Sequence, residues 1–114
     1  MRYRPIRRNS EFGRVYARGK SYVNPALVLY VLKTRGRNTR VGLTATKKIG
    51  HAVQRNRLRR QLREIYRLHE TSFARGYDLV VVARSRAIGA DYAALEHAYL
   101  SLAARLGLLT QNTP

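Results

Sequence analysis

Apolar positions along the chain recur with two periods, and the switches between them mark the elements. Phe12, Val15 and Tyr16 share one face at i, i+3, i+4 spacing, which predicts a short helix capped by Asn9 or Ser10 and ended near Gly19. Tyr22–Lys33 reads as a strand broken by Asn24-Pro25, and its continuous apolar run Ala26–Leu32 predicts deep burial. Arg35–Asn38 is a turn. From Arg40 to Thr46 the pattern alternates, with Val41, Leu43 and Ala45 on one side and Arg40, Gly42, Thr44 and Thr46 on the other. A loop at Lys47–Gly50 leads into the longest helix, from about 51 to 69. After Gly76 comes a further strand, Tyr77–Ala83. Asp91 caps a last helix with Tyr92, Leu95, Tyr99, Leu102 and Leu106 inward, and Gly107 ends it.

The predicted order is α-β-β-β-α-β-α, an α+β sandwich of one sheet with helices packed on it. At 114 residues the chain is expected to form one domain, with residues 1–8 a basic arm and residues 108–114 a flexible tail. Hydrophobic residues make up 45% of it, enough to build a core. There is no cysteine, so packing alone must hold the fold, which suits a reducing cytoplasm. No apolar run is long enough to span a membrane.

Charge changes the picture most. Twenty-three Lys and Arg face six Asp and Glu, a net charge of +17. Self-repulsion on that scale calls for a polyanionic partner, either nucleic acid or an anionic membrane surface. Arg outnumbers Lys 19 to 4, and Arg binds phosphate bidentately and stacks on bases.

The charge concentrates on the long helix. At about 100° per residue, Leu58, Leu62, Ile65 and Leu68 form one arc; Arg55, Asn56, Arg59, Arg60, Arg63 and Arg67 occupy the other. Arg55, Arg59 and Arg63 stand at i, i+4, i+8, where like charges repel by roughly 0.2–0.5 kcal/mol per pair. A row of phosphates would offset that repulsion. Arg57 falls at the border of the apolar stripe, which points to a mixed structural and RNA-contacting role. Arg60 and Glu64, also i, i+4, are expected to pair. A solvated face is the ordinary meaning of a charge run, but this run has one sign and the whole chain shares it.

The stretch Val41–Glu64, with its Val-Gly strand, Lys-Lys-Ile-Gly, Ala-Val and Arg-Asn-Arg followed by basic pairs, resembles the signature of the bacterial ribonuclease P protein family. The resemblance extends to Asn9–Tyr16, to the strand ending near Tyr30 and to Gly76–Arg84. It implies the same α-β-β-β-α-β-α fold, with a left-handed crossover at the basic helix. It implies an accessory subunit that binds the ribonuclease P RNA and assists removal of the 5′ leader from precursor tRNA. Lys47, Lys48, Arg55, Asn56, Arg57, Arg59, Arg60, Arg63 and Arg67 would then face the RNA subunit. Phe12, Tyr16 and Tyr30 would line a cleft for the single-stranded leader. Helical spacing alone places Phe12 and Tyr16 on a core face; the resemblance makes that face a half-open stacking platform, where aromatic rings gain roughly 1–3 kcal/mol per base.

The chain itself offers no evident catalytic group. His51, His69 and His97 lie far apart in sequence, and the six acids lack metal-ligand spacing. His51 reads as solvated and Asp78 as half of a structural ion pair. Catalysis would fall to the RNA and its magnesium, with no metal or cofactor on the protein and no obligate protein partner. Two other readings remain at this point: a structural RNA-binding protein without a leader cleft, and a cationic membrane-active protein, against which the 58–68 apolar stripe is needed inside.

Overall fold

A computed structural model describes residues 3–36 and 38–110. Its strands are β1 Tyr3–Pro5, β2 Lys20–Val23, β3 Leu27–Lys33, β4 Thr39–Thr44 and β5 Tyr77–Ala83. Its helices are α1 Asn9–Arg18, α2 Ala52–His69 and α3 Tyr92–Arg105. The strands form one mixed sheet in the order β1-β4-β5-β3-β2. Pairing is parallel for β1 with β4 and β4 with β5, and antiparallel for β5 with β3 and β3 with β2. Helix α2 is the connection between the parallel neighbours β4 and β5.

The sheet has a core on each face. On one, Leu27, Leu29, Val41, Leu79 and Val81 meet Leu58, Leu62 and Ile65 of α2 and Leu95, Tyr99 and Leu102 of α3. On the other, Val15 of α1 packs with Val80 and Ile6, bordered by Phe12, Tyr30, Leu32 and Val82. Period-2 alternation on three strands thus serves two layers of helices, α1 on one side and α2 with α3 on the other. The α1 layer explains why Gly42, on the polar side of β4, is buried.

Five expectations need correction. Part of the basic arm is strand: β1 pairs with β4, and Ile6 is 5% exposed with its N–H donating to the Val41 carbonyl at 3.0 Å. A three-residue edge strand is too short to show a period, and its Pro5 is tolerated because an edge needs fewer donors. Met1 and Arg2 lie outside the described residues. Helix α1 starts one residue early, at an Arg8 cap whose N–H donates to the Glu11 carboxylate at 3.3 Å. Leu68 is 52% exposed, and Tyr66 is buried instead, its ring 4.9 Å from that of Phe73. Glu64 pairs with Arg67 rather than Arg60. The tail packs through residue 110: Leu108 is buried, its N–H donates to Ala103, and the Thr110 N–H donates to Ser72. Gly107, at φ +74, supplies the left-handed turn that sends it back; residues 111–114 lie outside the described residues.

The remaining feature of the α1 face is ionic. Asp78 is fully buried in β5, opposite Arg40 of β4 in the parallel register. Arg40 clasps it bidentately, Nε to Oδ1 at 2.9 Å and Nη2 to Oδ2 at 2.6 Å, and donates through Nη1 to Glu11 of α1. Arg14 stands 3.7 Å from the same Asp78 carboxylate. The Asp78 bond and then the Glu11 bond raise the Arg40 pKa further, keeping it charged. The Arg8 N–H, and after it Arg40, hold the Glu11 carboxyl below its usual range.

Arg40→Met strands a buried carboxylate and is expected to cost about 3–5 kcal/mol. Arg40→Met with Asp78→Leu should recover most of the loss. Urea midpoints of wild type and both variants check this, and an Arg40→Met midpoint equal to that of wild type would show that the pair does not hold the sheet.

Candidate nucleic-acid interface

Beyond β4, the chain makes a 3-10 turn over Lys47–Ile49 and enters α2 at His51. The His51 N–H donates to Gln54 Oε1 at 2.8 Å, and its carbonyl accepts from the Arg55 N–H at 2.9 Å, so the helix start is closed by its own side chain. Lys47, Lys48, Asn56, Arg57, Arg60, Arg63 and Arg67 are exposed, while Arg55 and Arg59 are half-buried. The apolar stripe docks on the sheet, so these polar side chains occupy the rest of the helix.

They do not form one uniform row. Arg67 is neutralised by Glu64, Nε to Oε1 at 2.9 Å and Nη2 to Oε2 at 2.6 Å, a bidentate pair that raises the Arg67 pKa and lowers that of Glu64. Arg59 is anchored: Nη2 donates to the Ala45 carbonyl at 2.9 Å and Nη1 to Asn56 Oδ1 at 3.1 Å. Arg55 keeps a buried Nε without an acceptor among the described residues. Arg57 borders a groove against Asp91 and the Ala87–Ala90 turn, facing α3. Lys47, Lys48, Arg57, Arg60 and Arg63 have no ion pair among the described residues.

On the other side of the sheet, Phe12, Tyr16 and Tyr30 come together. The Phe12 and Tyr16 centroids lie 6.3 Å apart, and Tyr16 meets Tyr30 edge-on at 4.9 Å. Tyr16 is 40% exposed, and its hydroxyl lies 3.4 Å from Thr44 Oγ1. Phe12 rests directly on Gly42, where a Cβ would come within 2.6 Å of its ring. Phe12 and Tyr16 line an open groove of about 500 Å³ with Asn9, Gly13, Leu43–Ala45 and Arg59; Tyr30 supports Tyr16 from behind. Sequence reading missed that Arg59 borders this groove as well as belonging to α2. The only signal was its place two turns above the loop that ends β4.

Expectations about acid–base groups also change. His69 Nε2 meets Glu96 Oε2 at 2.7 Å and ties α2 to α3, a pairing across 27 residues that spacing did not reveal. Neither residue lines the aromatic groove. Among the described residues, no three His, Asp or Glu gather closely enough to hold a metal ion, and no helix is long and apolar enough to cross a membrane.

The family model described as Ribonuclease P matches residues 1–107. A ribonuclease P protein component from Clostridium botulinum is 44% identical over 109 residues, covering 95% of this chain and 98% of its own. One from Clostridium novyi is 45% identical, covering 90% and 93%. Among solved structures, the Staphylococcus aureus RNase P protein superposes with a TM-score of 0.86 at 26% identity, over 93% of this chain and 97% of its own. The Thermotoga maritima protein gives 0.78 at 28% identity, over 85% and 92%.

Gly42→Ala is expected to push Phe12 off the sheet at an overpacking cost of about 1–3 kcal/mol. Affinity for an unstructured RNA oligonucleotide should fall several-fold, as read by fluorescence titration. Unchanged affinity would mean that the Phe12 ring is not part of the binding surface.

Proposed function

Because the chain belongs to the ribonuclease P protein family, as the accessory protein subunit of an endoribonuclease in tRNA 5′ processing and a partner of the ribonuclease P RNA, we propose a division of labour between its two faces. The unpaired cations of α2 and its entry turn, Lys47, Lys48, Arg57, Arg60 and Arg63, hold the ribonuclease P RNA, with Arg55 and Asn56 beside them. Arg67 contributes less, since Glu64 already offsets its charge. The groove of Phe12 and Tyr16, backed by Tyr30, holds the single-stranded leader of precursor tRNA.

One observation carries this reading: two surfaces of different chemistry meet at Arg59. Isolated cations suit phosphates, which differ little from one nucleotide to the next. Tilted aromatic rings suit unpaired bases, and stacking tolerates any leader sequence. Discrimination then follows from what the substrate alone carries, because mature tRNA has no leader to place in the groove. The protein's part is charge neutralisation and positioning. The cutting chemistry belongs to the RNA subunit and its magnesium, and the protein binds no metal or cofactor and needs no further protein partner. The cysteine-free chain acts in the cytoplasm.

Reconstitution tests this. Added to a ribonuclease P RNA, the protein should restore 5′ cleavage at low magnesium, because its cations replace part of the ion atmosphere. Phe12→Ala with Tyr30→Ala should lower holoenzyme affinity for precursor tRNA by about 10-fold or more while leaving mature tRNA unchanged, given roughly 1–3 kcal/mol per stacked base. Equal affinities of wild type and variant for precursor would remove the leader groove. Arg63→Ala should reduce the salt slope of RNA-subunit binding by about one unit, and an unaltered slope would take Arg63 out of the interface.

A further inference from the structure

Helix α1 is seated on the sheet by Val15, which is fully buried. At about 100° per residue, Phe12 and Tyr16 flank Val15 on one edge of the helix, and Arg14 and Arg18 flank it on the other. The helix therefore divides this face of the sheet into two grooves. The aromatic one has been described. The second, of about 300 Å³, is bordered by Arg14, Arg18, Lys33 and Arg35 over Leu32 and the buried Asp78.

Its electrostatics are one-sided. Asp78 is the groove's single anion, and it already carries the bidentate Arg40 pair. Arg14, half-exposed, leans on it at 3.7 Å. Arg18, Lys33 and Arg35 are exposed and have no ion pair among the described residues. Three unpaired cations around a concavity concentrate anions. The groove has no aromatic lining, so it offers no platform for bases. Nor does it have the broad apolar rim that a membrane-surface site requires. The sheet separates it from α2, so RNA lying along the α2 cations does not reach it.

We propose that this groove is a second RNA site, which binds the phosphodiester backbone of a strand held by neither the α2 cations nor the aromatic rings. The inference rests on the chain being an RNA-binding subunit. Two sources supply such phosphates: leader nucleotides beyond those in the aromatic groove, turning around the end of α1 at Arg18 and the exposed Lys20, or a segment of the ribonuclease P RNA.

The test is Arg18→Ala with Lys33→Ala and Arg35→Ala, three exposed side chains whose loss should leave the thermal melt unchanged. Salt dependence is measured for ribonuclease P RNA binding the protein, and for precursor tRNAs with short and long leaders binding the holoenzyme. The triple variant should lower one slope by about two units, at roughly 0.7–0.9 per phosphate contact. A loss confined to long-leader precursors assigns the site to the leader, and a loss with the RNA subunit assigns it there. Arg18→Lys with Arg35→Lys, Lys33 being kept, should restore most of the slope. Unchanged slopes for every RNA overturn the proposal. The aromatic reading stands apart, because the Phe12→Ala, Tyr30→Ala variant leaves these cations in place.

Discussion

A carboxylate with no access to water, Asp78, is the constraint on which both faces depend. Burying it is tolerable only with a cation in hydrogen-bonding geometry, and Arg40 supplies one from the neighbouring parallel strand. That fixes β4 against β5 at Arg40 and Asp78, the start of the parallel pair that α2 connects. The same guanidinium reaches up to Glu11 and so sets the height of α1 above the sheet. Phe12 can then rest on Gly42 and Tyr16 against Tyr30, because the helix that carries them is held at its first turn.

The scarcity of acids acquires a meaning from where they stand. Glu11 and Asp78 engage Arg40, Glu64 engages Arg67, Glu96 engages His69, and Asp91 accepts from the Ala94 N–H to cap α3. Four of the six acids in the sequence are thus committed to tertiary contacts or a cap, and a fifth, Glu64, to an arginine on its own helix. The positive surface is what remains once the fold has used its anions. Among the described residues its cations lie largely unpaired, because the chain carries few negative side chains to meet them.

Much of this was legible in the chain. Strong periodicity marked three strands and three helices, and the Asn24-Pro25 break and the Asp91 cap fell where turn chemistry placed them. The burial of Leu58, Leu62 and Ile65 against the exposure of Arg60 and Arg63 followed from the wheel. Long-range matters were not legible. Nothing local distinguishes Arg40 from a solvent-facing arginine on an alternating strand; only the docking of α1 turns that side inward. Strand β1 was too short to show a period. Tyr66 and Leu68 exchanged places because Phe73, beyond the end of the helix, selects which side of the last turns is covered. His69 and Glu96 met because α2 and α3 pack on one face, which no spacing encodes. The aromatic trio was legible only through resemblance, since a half-open cleft and a core face share one spacing.

Arg59 carries a consequence of a different kind. Its guanidinium bridges the end of β4 and the first turns of α2, and it borders the aromatic groove. The two surfaces therefore share one anchored side chain, and a ligand on either of them meets the same guanidinium. An RNA that drew Arg59 away from the Ala45 carbonyl would alter the wall of the groove, and a strand seated in the groove would alter what α2 presents. Coupling of that kind is reciprocal by necessity: two ligands linked through one group change each other's affinity by the same factor. In a chain this small, a single side chain spans both surfaces, so coupling between them needs no domain motion to transmit it.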